Sequence, residues 1–243
     1  SYIKGIVGAA AVDSSTVDIY TDGVNAVLPM QVAQLPMVPN GAGAELNEAP
    51  VGTGPYMFDS WDRGQSISAV ANPNYWGSAP SIQAFEIRVI PDSQTQLSAL
   101  QAGEVDLILD ILPEQTELAP AFKSVPATEF SFVHLDTRKE NLSDPMVRIA
   151  MNMAIDKELM AETLYGGFAR PNEAQHLSEN MLGYNPDVTM FPYDPEGAKA
   201  LLAEAGHADG FPLTIHVGVG RYLRSEESAE YIAQALTEIG LPT

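Results

Sequence analysis

The side chains through which this 243-residue sequence could do chemistry are four histidines, 32 carboxylates and one short arginine-bearing run. Metal binding or acid–base work by histidine needs several such groups at close spacing, as in an HExxH helix. His134, His176, His207 and His216 are scattered and fit no such spacing, so no metal site is expected. Neighbouring acids such as Glu104 with Asp106, or Glu226 with Glu227, have the right type for an acidic dyad. In a chain this acidic they read more simply as solvated surface. There is no GxSxG nucleophile elbow and no cysteine. The run GVGRYLRSEE matches neither GxGxxG nor GxxxxGK[ST], so it is not read as a phosphate cradle. What it does offer is Arg221 and Arg224, two guanidinium forks able to grip a carboxylate through paired, charge-assisted hydrogen bonds. The alternative is a surface pair neutralised by Glu226 and Glu227.

Two other stretches have a binding character. PVGTGPYMFDSWDRGQ places Gly52 and Gly54 around Thr53, just before Tyr56 and a strand-like run. Glycine suits a positive φ or a backbone that a neighbour or ligand approaches closely. In EFSFVHLDT, strand alternation puts Phe130, Phe132 and His134 on one face. Alternating aromatics usually serve a core, whereas the histidine favours a side that meets solvent or ligand.

The elements that must position these groups follow from periodicity. Residues 3–21 read as a hairpin, and 25–34 as a short helix broken at Pro29. MFDSW and SISAVAN are strands joined across DRGQ, followed by the strand IQAFEIRVIP. A helix capped by Asp92 and stopped by Gly103 comes next, then a short buried strand VDLILDI. Strand, helix, strand is the unit of an α/β sheet. After the strand TEFSFVHLDT, one helix is expected from Asp144 to Tyr165, with Pro145 at its first position. A loop leads to the helix DPEGAKALLAEAG, then the strand FPLTIHVGV and a helix from Ser225. Sheet-rich sequence gives way to helix-rich sequence near 136–143.

A hydrophobic fraction of 45% gives ample core, and a net charge of −20 repels phosphate backbones and anionic lipid, so nucleic acid is not an expected partner. No apolar run approaches the length of a membrane span. Both ends read as cuts through a longer chain.

Taken in order, PVGTGPYMFDSW, NPNYWGSAPSIQAFEIRVIPD, LSALQAGEVDLI, SDPMVRIAMNMAIDKELM and DPEGAKALLAEAGHADGFPLTI resemble the family-5 extracellular solute-binding proteins of ABC importers, the oligopeptide-, dipeptide- and nickel-binding type. The resemblance covers nearly the whole chain. It implies an α/β fold of the type II periplasmic-binding-protein kind, two lobes with mixed sheets, incomplete here. Residues 1–135 would be part of lobe one, ending in a hinge strand, and 136–243 the first half of lobe two. It further implies a peptide or other small solute, held between the lobes and delivered to an ABC permease, and a periplasmic or extracellular location, with a lipid anchor as one variant. By the same resemblance Thr53 and Tyr56 line the floor or wall of the cleft, Phe130, Phe132 and His134 border the ligand from the hinge, and Arg221 and Arg224 face it from lobe two. Trp61, Tyr75 and Trp76 are implied to be scaffold that packs loops together, and Asn74 stands where an acidic residue is frequent. The expectation is a binding protein without cofactor, not an enzyme. The alternative is a peptide or glycan hydrolase using an acidic dyad.

Overall fold

Polar and apolar alternation turns the first 90 residues into antiparallel ladders. The computed structural model describes residues 4–243 other than 110, 126, 128, 173 and 180. Strands β1 (Ile6–Ala11) and β2 (Val17–Thr21) pair across a turn in which Asp13 accepts a hydrogen bond from the Ser15 N–H, 2.8 Å. Ile3, where that hairpin is expected to begin, lies outside the described residues. Helix α1 (Leu28–Ala33) carries Pro29 in its first turn, where a missing N–H has no intrahelical partner to lose. The proline therefore starts this helix and does not break it. Strands β3 (Tyr56–Asp62), β4 (Ser66–Ala71) and β5 (Ala84–Arg88) form a meander in that order, with β4 central. The turn between β3 and β4 places Gly64 at a φ of 77°.

No described residue of this first unit is buried. Trp61 lies under the Arg63 guanidinium at 4.3 Å, while Trp76 is 82% exposed and touches Tyr75. Within its own unit Trp76 thus does not pack loops together as expected.

The second compact unit, residues 91–243, holds every buried hydrophobic side chain among the described residues. Helix α2 (Ser93–Gln101) starts at Asp92, whose carboxylate accepts from the Thr95 N–H and hydroxyl, and buries Leu97. These hydrogen bonds, with the Thr95 hydroxyl first, hold the Asp92 pKa below its ordinary value. Residues 105–109 and 111, expected as a strand, form no ladder, and the described ladders are all antiparallel. A 3-10 turn, Pro113–Leu118, follows.

The expected helix from Asp144 to Tyr165 is three residues short of continuous. After the short helix α3 (Glu140–Ser143), α4 (Pro145–Met153) is capped by Asp144, and α5 (Lys157–Tyr165) is capped by Asp156, which accepts from the Leu159 N–H at 2.9 Å. Apolar periodicity runs through the break, but an aspartate can take the cap in place of the next backbone bond. Lys157 closes the joint by donating to the Asn152 carbonyl at 2.8 Å, and burial pushes its pKa down. Asp156→Ala is expected to destabilise this unit by about 1 kcal/mol, the usual cost of losing a cap, as a lower urea midpoint.

Helix α6 (Pro195–Glu204), capped by Asp194, and helix α7 (Ser225–Glu238) pack with α4 around Val147, Ala150, Ala198, Leu202, Leu236 and Leu241. Each buried leucine contributes roughly 1.5–3 kcal/mol. Residues 211–219, expected as a strand, turn Phe211, Leu213 and Ile215 onto this core, but no ladder forms. Their Leu213 N–H donates to the Pro242 carbonyl, 2.8 Å. The units divide at Ile90, upstream of the composition change near 136–143: that change marks where element type switches, and residues on both sides of it share one packed unit.

Candidate functional site

In the first unit, the loop around Thr53 bends into β3 and is tied by Asn72, whose side chain donates to the Gly54 carbonyl at 3.0 Å. Neither Gly52 nor Gly54 has a positive φ. Among the described residues a Cβ on either would meet only a backbone oxygen, at 4.0 and 3.9 Å respectively, and neither contact demands glycine there. Thr53 is exposed. Tyr56 is half-buried: its hydroxyl donates to the Ile82 carbonyl at 3.1 Å and its ring meets Phe85 edge-on at 4.8 Å.

The second unit brings three of the expected residues together with a fourth. The described residues 129–136 form no ladder, since alternation makes a strand only where a paired edge satisfies the backbone. Phe130, Phe132 and His134 nevertheless share one side: Phe132 lies 5.7 Å from Phe130 and 4.6 Å from His134 by ring centroids. His176, from the loop after α5, stacks on Phe132 at 4.6 Å and on Phe130 at 5.4 Å. It was legible in the sequence only as one scattered histidine, because its neighbours come from a distant segment.

The two arginines of GVGRYLRSEE part company. The loop closes on itself through Ser225, whose hydroxyl donates to the Gly218 carbonyl at 2.9 Å. Arg221 stays exposed beside the Tyr222 ring, 5.1 Å from its centroid, with no carboxylate partner among the described residues. Arg224 sits just before α7 in the left-handed region, φ 56°, where a side chain other than glycine is strained. Its guanidinium donates to Glu114, and to Glu227 at 2.6 Å, so it is not the open fork that the sequence suggests. Arg224 Nε is buried without a hydrogen-bond partner among the described residues. Of the two neutralising acids expected, Glu226 and Glu227, it is Glu227 that pairs with Arg224; Glu114, 110 residues away in sequence, could not be seen from any local pattern. Arg148 also spends its guanidinium on backbone. It donates to the Leu142 and Ser143 carbonyls, at 2.9 and 2.8 Å.

The Arg224 pKa is raised by its two carboxylates, Glu114 first, while that of Glu227 is lowered chiefly by Arg224 and that of Glu114 by its own backbone N–H and then Arg224. Depressed carboxylates stabilise the fold above their ordinary value of 4.5 and lose that contribution as pH falls below it. The stability of the second unit is therefore expected to fall below about pH 4.5 less steeply in Glu114→Gln than in the natural sequence, in urea titrations across that window. Among the described residues no group of three or more His, Cys, Asp or Glu could hold a metal ion, and no helix is long and apolar enough to cross a membrane.

A sequence model of the bacterial extracellular solute-binding proteins, family 5, middle region, matches residues 1–243. The chain belongs to this family. Relatives of this family 5 chain include a heme-binding protein A of Haemophilus influenzae, 34% identical over 72% of the chain and 33% of the relative. A di/tripeptide-binding protein 2 of Pseudomonas aeruginosa is 32% identical over 76% of the chain and 35% of its own length. Among solved structures, the ABC transporter-associated periplasmic binding protein DppA of Helicobacter pylori, in complex with the peptide STSA, aligns with a TM-score of 0.84 and 26% identity. That alignment takes in 99% of the chain and 50% of the DppA chain. The family 5 chain therefore has the α/β fold of type II periplasmic binding proteins, and its matches span between a third and a half of those longer proteins.

Proposed function

We propose that this family 5 chain is part of the substrate-binding component of an ABC importer, which captures a peptide-like solute between two lobes and delivers it to a membrane permease. The observation that carries the reading is the likeness to the peptide-bound Helicobacter pylori protein over 99% of the chain. Residues 1–135 would belong to lobe one and 136–243 to lobe two of the longer protein, located in the periplasm or outside the cell, as a free or lipid-anchored form. Exposed Arg221, the exposed Phe132 and His134 rings and the open, glycine-flanked Thr53 are recognition groups, which supports binding.

In this reading Thr53, Phe130, Phe132, His134 and Arg221 meet the solute, Tyr56 backs the Thr53 wall, and Arg224 holds the loop that carries Arg221. A solute that binds the closed form more tightly shifts the lobes toward closure, and a swing from 1:99 to 99:1 needs a preference of about 10⁴. The test is a calorimetric titration of the full-length protein with dipeptide, oligopeptide, sugar and metal-chelate panels. Saturable binding of peptides supports the reading, whereas hydrolysis of any panel member, or no binding at all, removes it.

A further inference from the structure

We propose that Phe130, Phe132, His134 and His176 form a subsite for a planar ring carried by the solute, an aromatic or heteroaromatic group with polar atoms at its edge. The inference rests on the solute-binding reading above and adds to it a residue, His176, and a chemical class.

An aromatic cluster built for a core is buried. This one is open: Phe132 contacts three other rings yet remains 49% exposed, and both imidazoles are exposed. Its ring contacts are tilted, with interplanar angles of 37° to 59°, so the rings lean together and leave apolar surface facing water. Covering such surface contributes about 25 cal/mol per Å², and a well-placed ring pair adds roughly 0.5–1.5 kcal/mol. The two imidazoles supply what a purely aliphatic patch lacks, ring nitrogens that donate to or accept from the edge of an indole, phenol or imidazole.

The fourth ring is held in place before any ligand arrives. Gln175, next to His176, donates to the Asn185 carbonyl at 2.9 Å and accepts from the Asn185 N–H at 3.1 Å. Ala174 lies in the left-handed region at φ 56°, a strained conformation that persists only where the surroundings fix it. Ordering of this loop need not be supplied by the solute, which favours affinity.

The experiment compares Ala-Trp with Ala-Ala on the full-length protein, by calorimetry and by the imidazole resonances of His134 and His176. Ala-Trp is expected to bind about tenfold more tightly. His176→Ala should erase most of that difference while leaving Ala-Ala unchanged, and Phe132→Leu, which keeps apolar bulk without a π face, should weaken Ala-Trp by more than it weakens Ala-Ala, so that most of the difference is lost there too. Ring-current shifts of both imidazoles should appear with Ala-Trp and not with Ala-Ala. Equal affinities, or a preference that survives both variants, would overturn the subsite. If neither peptide binds, the peptide reading fails on its own account, and free indole then decides the subsite: millimolar indole that leaves both imidazole resonances in place overturns it.

Discussion

Gly210→Ala is expected to lower the stability of residues 91–243 by at least about 3 kcal/mol, the upper range for a single substitution that clashes with backbone. Gly210 has a φ of 67°, which alone would strain alanine by roughly 1–3 kcal/mol. The larger part is steric: a Cβ there would overlap the Gly240 carbonyl group. That neighbour is backbone and cannot rotate away. Relief requires the turn after α6 to separate from the turn after α7, a contact flanked by the Leu213 to Pro242 hydrogen bond and by Ile239 and Leu241, which are 4% and 0% exposed. Gly206→Ala is the control, since Gly206 also has a positive φ, 86°, but no atom of the described residues within 4 Å of its Cβ position. Urea midpoints of the two variants decide the matter. Equal losses would mean that conformation alone, and not the contact with Gly240, makes residue 210 a glycine.

That contrast also marks how far the sequence could be read. Asp92, Asp144 and Asp194 announce their helices because a cap is a local bond, made within three residues. The end of that first helix at Gly103 and the hairpins around Gly64 and Asp13 are equally local. What was hidden is non-local or competitive. Asp156 interrupts an apolar repeat because its cap replaces the next helical bond, a choice that periodicity does not encode. Residues 129–136 and 211–219 have strand-like alternation, and the latter does turn Phe211, Leu213 and Ile215 onto the core, yet a ladder depends on a partner edge elsewhere. The candidate site shows the same division. The shared side of Phe130, Phe132 and His134 follows from a period of two, while His176 and Glu114 join their partners only through folding. Family membership was legible because five motifs in order carry it across nearly the whole chain.

The second large effect separates the two arginines of the 218–227 run. Arg221→Ala is expected to leave the urea midpoint within about 0.5 kcal/mol of the natural value, as for an exposed side chain. In the proposed role, the same change weakens binding of a carboxylate-bearing solute by about 10- to 100-fold, the worth of a charge-assisted hydrogen bond of roughly 1.5–3 kcal/mol. Arg224→Ala should act on both measurements. It removes the bonds to Glu114 and Glu227, leaves those two carboxylates without the cation that joined them, and keeps a non-glycine residue at φ 56°. About 2 kcal/mol of stability is expected to go with it. Solute affinity should fall as well, because the loop that carries Arg221 loses its tie to the Pro113–Leu118 turn. Glu114→Gln distinguishes positioning from contact: it loosens that tie without touching either arginine, and so should lower affinity in proportion to stability. Should Arg224→Ala abolish binding with no change in the urea midpoint while Arg221→Ala binds normally, the roles are reversed. Arg224 would then leave its carboxylates to meet the solute directly, and the paired state seen here would be the one that binding opens.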